Sequence, residues 1–281
     1  MQAVDSELSM SVVTVCWNCE DVIEETIRSV INQSFEPIEY IVIDGGSTDS
    51  TPDIIRAYES QLSAWISEPD DGIGDAFNKG IRRTNGDLVG LINAGDTYEP
   101  GAIERVVNCA VQTPDADLFY GDIYMTDEAG EAMYVRKARP ELDASCFRYA
   151  MPEIPHPSVF ARRSLYEERL FDTSLNYAMD FEWLRHMVER GHRFQYIEGS
   201  CIARMRAEGK SNDQYLNTLA EVHRICTAYG DHPAVSYLYN RVFRSLRFRL
   251  RRGAEATEVG RLFVMAYRRV IAMLGIRNWE Y

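Results

Sequence analysis

The chain has 281 residues, 46% apolar, 11% aromatic and 26% charged, the balance of a packed globular protein and not of a disordered or low-complexity one. Its formal charge of −13 argues against a general nucleic-acid binder, which needs a basic face to neutralise phosphates. No run approaches the ~18 consecutive apolar residues of a membrane-spanning helix, and the start, MQAVDSELSMSVVTV, carries two acids and no base before its apolar run, unlike a secretory leader.

In chain order, SMSVVTVC (9–16) is a short β-branched run that predicts a buried strand. EDVIEETIRSVINQ (20–33) places Val22, Ile23, Ile27, Val30 and Ile31 at helical spacing, with acids early and Arg28 late, as the helix dipole favours. IEYIVID (38–44) predicts a second strand. GGSTDSTPDIIRAYES follows, in which a residue of Ser47–Thr51 can cap a helix with Pro52 in its first turn. AWISEPD (64–70) reads as a third strand, DGIGDAFNKGIRRT (71–84) as a loop entering a helix, DLVGLINAGD (87–96) as a fourth strand, and PGAIERVVNCAVQ (100–112) as another helix. This alternation predicts an α/β fold with a mostly parallel central sheet and right-handed crossovers.

Beyond it, ADLFYGDIYMTD and EAMYVRKAR (116–139) read as a hairpin-like pair turning at Glu128-Ala129-Gly130, and a helix is expected from near Asp180 to Gly191. After RFQYIEGSCIARMR (193–206) the remainder reads as helical. We expect one domain over 1–225 and a basic helical extension over 226–281. Residues 241–281 hold ten Arg and three Glu, a local +7 that leaves about −20 on the rest. A cationic amphipathic helix there suits an anionic membrane surface, and also packing on the acidic domain or on a second copy in a homo-oligomer. The six cysteines are expected to be free thiols in a reducing cytosol, Cys16-Trp17-Asn18-Cys19 included, because that C-x-x-C has no second Cys/His pair nearby.

In open parallel sheets the ligand lies beyond the carboxyl ends of the strands. Those ends read Trp17-Asn18, Asp44-Gly45-Gly46-Ser47, Glu68-Pro69-Asp70-Asp71 and Asn93-Ala94-Gly95-Asp96. Neither G-x-G-x-x-G nor a Walker A loop is present. An acidic sheet edge can hold ribose and base through carboxylate acceptors, and phosphates through a hard divalent cation.

These segments, together with PHPSVFARRSLYEERLFDTSLNYAMDFEWLRHM, resemble family 2 glycosyltransferases with a GT-A fold over roughly residues 9–212. GGSTD, EPDDGIGDAFNKG and NAGD look most like bacterial polysaccharide enzymes of the colanic-acid and O-antigen type. The resemblance implies the GT-A nucleotide-diphospho-sugar transferase fold. It also implies inverting transfer from a UDP- or GDP-sugar to an acceptor hydroxyl, on a glycan or lipid-linked oligosaccharide, at the cytoplasmic side of the cell membrane.

Carried over position by position, Thr14, Val15, Asn18 and Glu20 border the base, and Asp44, Gly45 and Ser47 meet the base or ribose. Asp70 and Asp71 sit beside the nucleoside, Lys79 near a phosphate, and Asn93 and Ala94 on the nucleotide. The metal motif of two acids around one residue is reduced here to Asp96, which implies Mn²⁺ or Mg²⁺ held with the nucleotide diphosphate. Asp180 matches the catalytic base, with Glu182 as the fallback. A helix start at Asp180 would lower its pKa. His156 matches an acceptor- or diphosphate-side histidine. Arg204 and Arg206 resemble a loop closing over the diphosphate. A binder or scaffold on the same fold, without turnover, is the competing reading, and an intact Asp180 counts against it. A nucleotidyltransferase is the remote third, disfavoured because residues 15–30 lack a glycine-rich basic loop.

Overall fold

A computed structural model describes residues 8–199, 201–206, 214–246 and 248. The first half alternates as the sequence predicts: β1 (Met10–Cys16), α1 (Ile23–Ile31), β2 (Ile38–Asp44), α2 (Thr51–Ala57), β3 (Ala64–Ser67), α3 (Ile73–Ile81), β4 (Leu88–Asn93), then α4 (Ala102–Gln112). β1 is buried along its whole length, because helices cover both faces of the sheet, the usual state of a parallel sheet. α1 buries Ile23, Thr26, Ile27 and Val30, one stripe at helical spacing, and carries Glu24 and Glu25 in its first turn. α2 starts after Ser50 with Pro52 in its first turn, but the Ser50 side chain makes no capping bond.

The later strands are β5 (Thr97–Tyr98), β6 (Leu118–Gly121), β7 (Ile123–Thr126), β8 (Ala132–Arg136), β9 (Phe160–Arg162), β10 (Phe194–Ile197) and β11 (Ala203–Arg206), with helices α5 (Arg163–Glu168) and α6 (Met179–Glu189) between β9 and β10. The main sheet has the order β10-β6-β9-β4-β1-β2-β3, with β9 antiparallel between two parallel blocks. A second sheet runs β5-β11-β7-β8. Two apolar clusters sandwich the main sheet. One is built from Val13, Ile43, Phe77, Phe181 and Trp183, the other from Val12, Val42, Ile27 and Val106.

Three expectations are corrected here. The hairpin does form between β7 and β8, but ADLFYGDIYMTD is not one strand: β6 belongs to the main sheet and β7 to the second. The switch falls at Gly121, where a Cβ would lie 2.8 Å from Ile202, so only a glycine lets the chain pass that close. The third strand stops at Ser67, and Glu68–Asp70 form a loop. The expected 225/226 boundary falls inside α7 (Tyr215–Ala228), whose Ile225 and Cys226 are both buried in the main-sheet core. Beyond α7, a single turn of α-helix, Pro233–Ser236, runs into a π-helical stretch, Tyr237–Arg244. Most of the basic segment 241–281 lies outside the described residues.

Candidate active site

The carboxyl ends of β1, β2, β3 and β4 share one edge, with Cys16 opposite Asp44, Asp44 opposite Ser67, and Val15 opposite Asn93. Asp44 is fully buried beneath this edge. Its carboxylate accepts from the Ser47 hydroxyl and backbone N–H (3.1 Å) and from the Ser67 hydroxyl at 2.5 Å. It therefore holds the Gly45–Ser47 turn and the β3 end in one geometry. Asn18, with φ at +45° as asparagine tolerates, accepts from the Thr48 N–H at 2.9 Å and donates its own N–H to Ser47 Oγ at 2.7 Å. Glu20 accepts from the Ser50 N–H at 2.8 Å. Gly45 presses against Asp70, since a Cβ there would come within 2.3 Å of its carboxylate. Trp17 stands above them, 53% exposed. These interlaced loops leave an aromatic face and a row of acceptors at the rim, which suits a base and a ribose.

The Asn93–Asp96 turn is pinned from below. Ala94 N–H donates to Val15 O, and Thr26 Oγ takes Gly95 N–H at 2.9 Å while donating to Asp96 O at 2.8 Å. Burial pushes the Asp96 carboxyl up to about 7, against the opposing pull of the Arg206 N–H and the Asn93 amide. Asn93 Oδ1 beside it is buried without a hydrogen-bond partner among the described residues. An unmatched oxygen next to a carboxyl whose burial outweighs its partners and the Arg206 charge fits a hard divalent cation. Among the described residues no group of three or more His, Cys, Asp or Glu could hold a metal, so the chain supplies few ligands and a nucleotide diphosphate would have to complete the shell.

The third part comes from α6 (Met179–Glu189). Asp180 lies in its first turn and accepts the Phe181 N–H at 2.7 Å. Met179 packs against Gly74 of α3, and the His156 ring sits 5.4 Å from that of Phe77, also on α3. Asp180, His156 and the half-buried Arg136 of β8 are electrostatic neighbours. Surrounding protein raises the Asp180 pKa, with His156 and Arg136 opposing. It also lowers that of His156, against the pull of Asp180. His156 Nδ1 is buried and has no hydrogen-bond partner among the described residues.

Several sequence-based assignments change. The residue capping α6 is Ala178, and Asp180 is raised, not lowered, because desolvation outweighs the helix end. Glu182, two positions on, faces away from Asp180. It bonds Arg169 and Tyr229 at 2.8 Å each, so it is no substitute base. Thr14 does not border the rim: it is buried and bonded to Tyr40 at 2.9 Å. Val15 is buried too, reaching the site through its carbonyl. Lys79 is held by Pro69 O, Glu68 and Asp75, so its charge is already matched. Asp71 donates its N–H to Asp75. Arg204 and Arg206 are on β11, not in a loop. Arg204 pairs with Glu99, and Arg206 with Glu25 at 2.8 Å. Residues 207–213, the rest of the expected closing loop, lie outside the described residues.

Sequence reasoning missed Thr26, Ser67, Arg136 and Glu221. Glu221, on α7, accepts the N–H groups of Asn176, Tyr177 and Ala178 at 2.9 Å each, bracing the entry to α6. No local signal marks it, because its partners are more than 40 residues away.

A mostly parallel sheet with an acidic carboxyl edge, a turn at Asn93–Asp96 fit for a cation and an acid in the first turn of α6 fit a nucleotide-sugar transferase of the GT-A class. Residues 11–188 match the Glycosyl transferase family 2, and the chain belongs to that family and is a glycosyltransferase. It is 26% identical over 229 residues to an uncharacterized glycosyltransferase of Rickettsia typhi, covering 78% of this chain and 71% of that one. A Bacillus subtilis glycosyltransferase named for teichuronic acid biosynthesis is 30% identical over 122 residues, 42% of this chain and 48% of that protein. The match thus spans about half of that relative's length. The Staphylococcus aureus protein TarS in complex with UDP superposes with a TM-score of 0.59 at 18% identity, over 82% of this chain and 68% of that one. The mannosyltransferase PcManGT of Pyrobaculum calidifontis, in complex with GDP-Man and Mn²⁺, gives 0.61 at 15% identity, over 95% and 81%. At these identities the two structures establish the fold.

Proposed function

We propose that this glycosyltransferase moves a sugar, with inversion, from a UDP- or GDP-linked donor to a hydroxyl of a lipid-linked oligosaccharide, in synthesis of a bacterial surface polysaccharide of the O-antigen or colanic-acid kind. The observation that carries the reading is Asp180, a carboxyl raised by burial in the first turn of α6, with His156 and Arg136 as its electrostatic neighbours. An inverting transfer needs one base to take the acceptor proton as the oxygen attacks, and a raised pKa brings that base nearer the working pH. Asn18, Gly45, Ser47 and Asp70 form the nucleoside cradle, with Asp44 setting its shape from beneath. Asp96 and Asn93 would hold a Mn²⁺ or Mg²⁺ ion, which when bound offsets the charge developing on the leaving diphosphate. An acceptor anchored in lipid also agrees with the exposed Leu238, Val242, Phe243 and Leu246 alongside Arg241.

The test is a thermal-shift screen of nucleotide sugars with and without Mn²⁺, because a ligand that binds the folded state raises its stability. A UDP- or GDP-sugar should raise Tm, and more so with Mn²⁺, while Mn²⁺ alone should do little. A large shift with Mn²⁺ alone would contradict the two-ligand metal site.

A further inference from the structure

A cleft of about 350 Å³ opens between the 139–153 segment and the C-terminal helix, lined by Arg139, Cys146, Arg148, Glu153, Tyr239 and Arg244 among others. We infer that it binds an anionic group of the acceptor, a phosphate or a carboxylate, on the side of Asp180 away from the nucleotide. Among the described lining residues there are three guanidiniums and one carboxylate, with Asp231 behind Arg148, and an Arg fork matches both kinds of anion. Arg148 stays 57% exposed although its Nε faces Asp231 at 3.4 Å.

The cleft is braced at its centre. Tyr149, on its wall, holds a left-handed φ of +64°, a conformation that costs a non-glycine residue energy and needs surrounding contacts to persist. Asp231 supplies one by accepting its N–H, and is fixed in turn by the buried Arg185 at 2.6 Å. Asn240, also buried, supplies another by donating to Tyr149 O at 2.7 Å.

Position gives the cleft its role. Arg139 N–H donates to Glu153 O at 2.8 Å, and three residues along each strand of chain from that bond stand Arg136 and His156, the neighbours of Asp180. Three residues span at most ~10 Å, so this end of the cleft lies within that reach of the two residues that flank Asp180. The donor diphosphate is assigned to the Asp96 turn and leaves this cleft to the acceptor. The inference rests on Asp180 marking the acceptor side.

The experiment follows alkylation of Cys146 by N-ethylmaleimide in the full chain, with Cys109 as internal control. Inorganic phosphate, glucuronate, glucose, or KCl at matched ionic strength is added. Phosphate or glucuronate should slow Cys146 selectively, and whichever acts identifies the anion. Protection should weaken by about tenfold in Arg148→Gln and return in part in Arg148→Lys. If neither anion protects the wild-type thiol more than glucose or KCl, the inference is overturned whether or not the variants fold. The footprint needs no sugar transfer, so it is read separately from the role of Asp180.

Discussion

At the residue scale the chemistry turns on burial. Asp180 and His156 are electrostatic neighbours, and burial disfavours the charge of each, so the acid is raised and the imidazole lowered. The active form of a base is the carboxylate. kcat/KM should therefore rise with pH, and the midpoint of its acid limb should lie above the ~3.9 of an ordinary aspartate. A pH–rate profile on the full enzyme checks this. A midpoint at or below that value would mean the Asp180 carboxylate is better solvated or better paired than its neighbours imply. Asp96 shows the same physics with a different outcome. The Asn93 amide, the Arg206 N–H and the Arg206 charge do not outweigh its burial, and Asn93 Oδ1 has no partner among the described residues; a cation would serve both oxygens.

At the element scale, the sequence told most about the first 112 residues. There the apolar period switches cleanly between strand and helix, and glycine, proline and small polar residues punctuate it. The strand-end motifs were legible for the same reason, since topology alone puts them on one edge. The second sheet was not: β5 has two residues, β6 and β7 are separated by Asp122 alone, and ARMR in β11 lacks an apolar alternation that would distinguish it from a loop. Residues whose work lies in distant partners were equally hidden. Glu221 is the clearest, a carboxylate on α7 collecting three N–H groups just before α6. Glu221→Ala would leave those donors unmatched, at a cost of ~1–3 kcal/mol, and would loosen the base. Urea denaturation should report the loss, and kcat should fall more than KM changes. An equal fall in stability with unchanged kcat would limit Glu221 to a structural role.

At the scale of the whole molecule, an acidic body carries a basic end, and that end begins inside the packed structure. Asn240 is buried and bonded to Tyr149, and Ser245 is nearly so, so the folded unit reaches at least that far. A chain ending at Leu246 removes eight of the ten arginines of 241–281. It should remain folded and active on a soluble acceptor, while binding to anionic vesicles weakens. Full-length binding should fall with ionic strength as charge is screened. Insoluble protein on truncation would instead place those residues in the core or at a subunit contact.

We propose that one edge of the sheet holds the nucleotide while Asp180, brought in from α6, takes the acceptor proton. The most direct measurement compares wild type with Asp180→Asn for both sugar transfer and nucleotide affinity, the amide keeping the shape of the acid. Transfer should fall by ~10²–10⁴, with affinity for UDP or GDP, whichever binds, close to wild type. Near-normal turnover in the variant would contradict the claim and remove Asp180 from the chemistry.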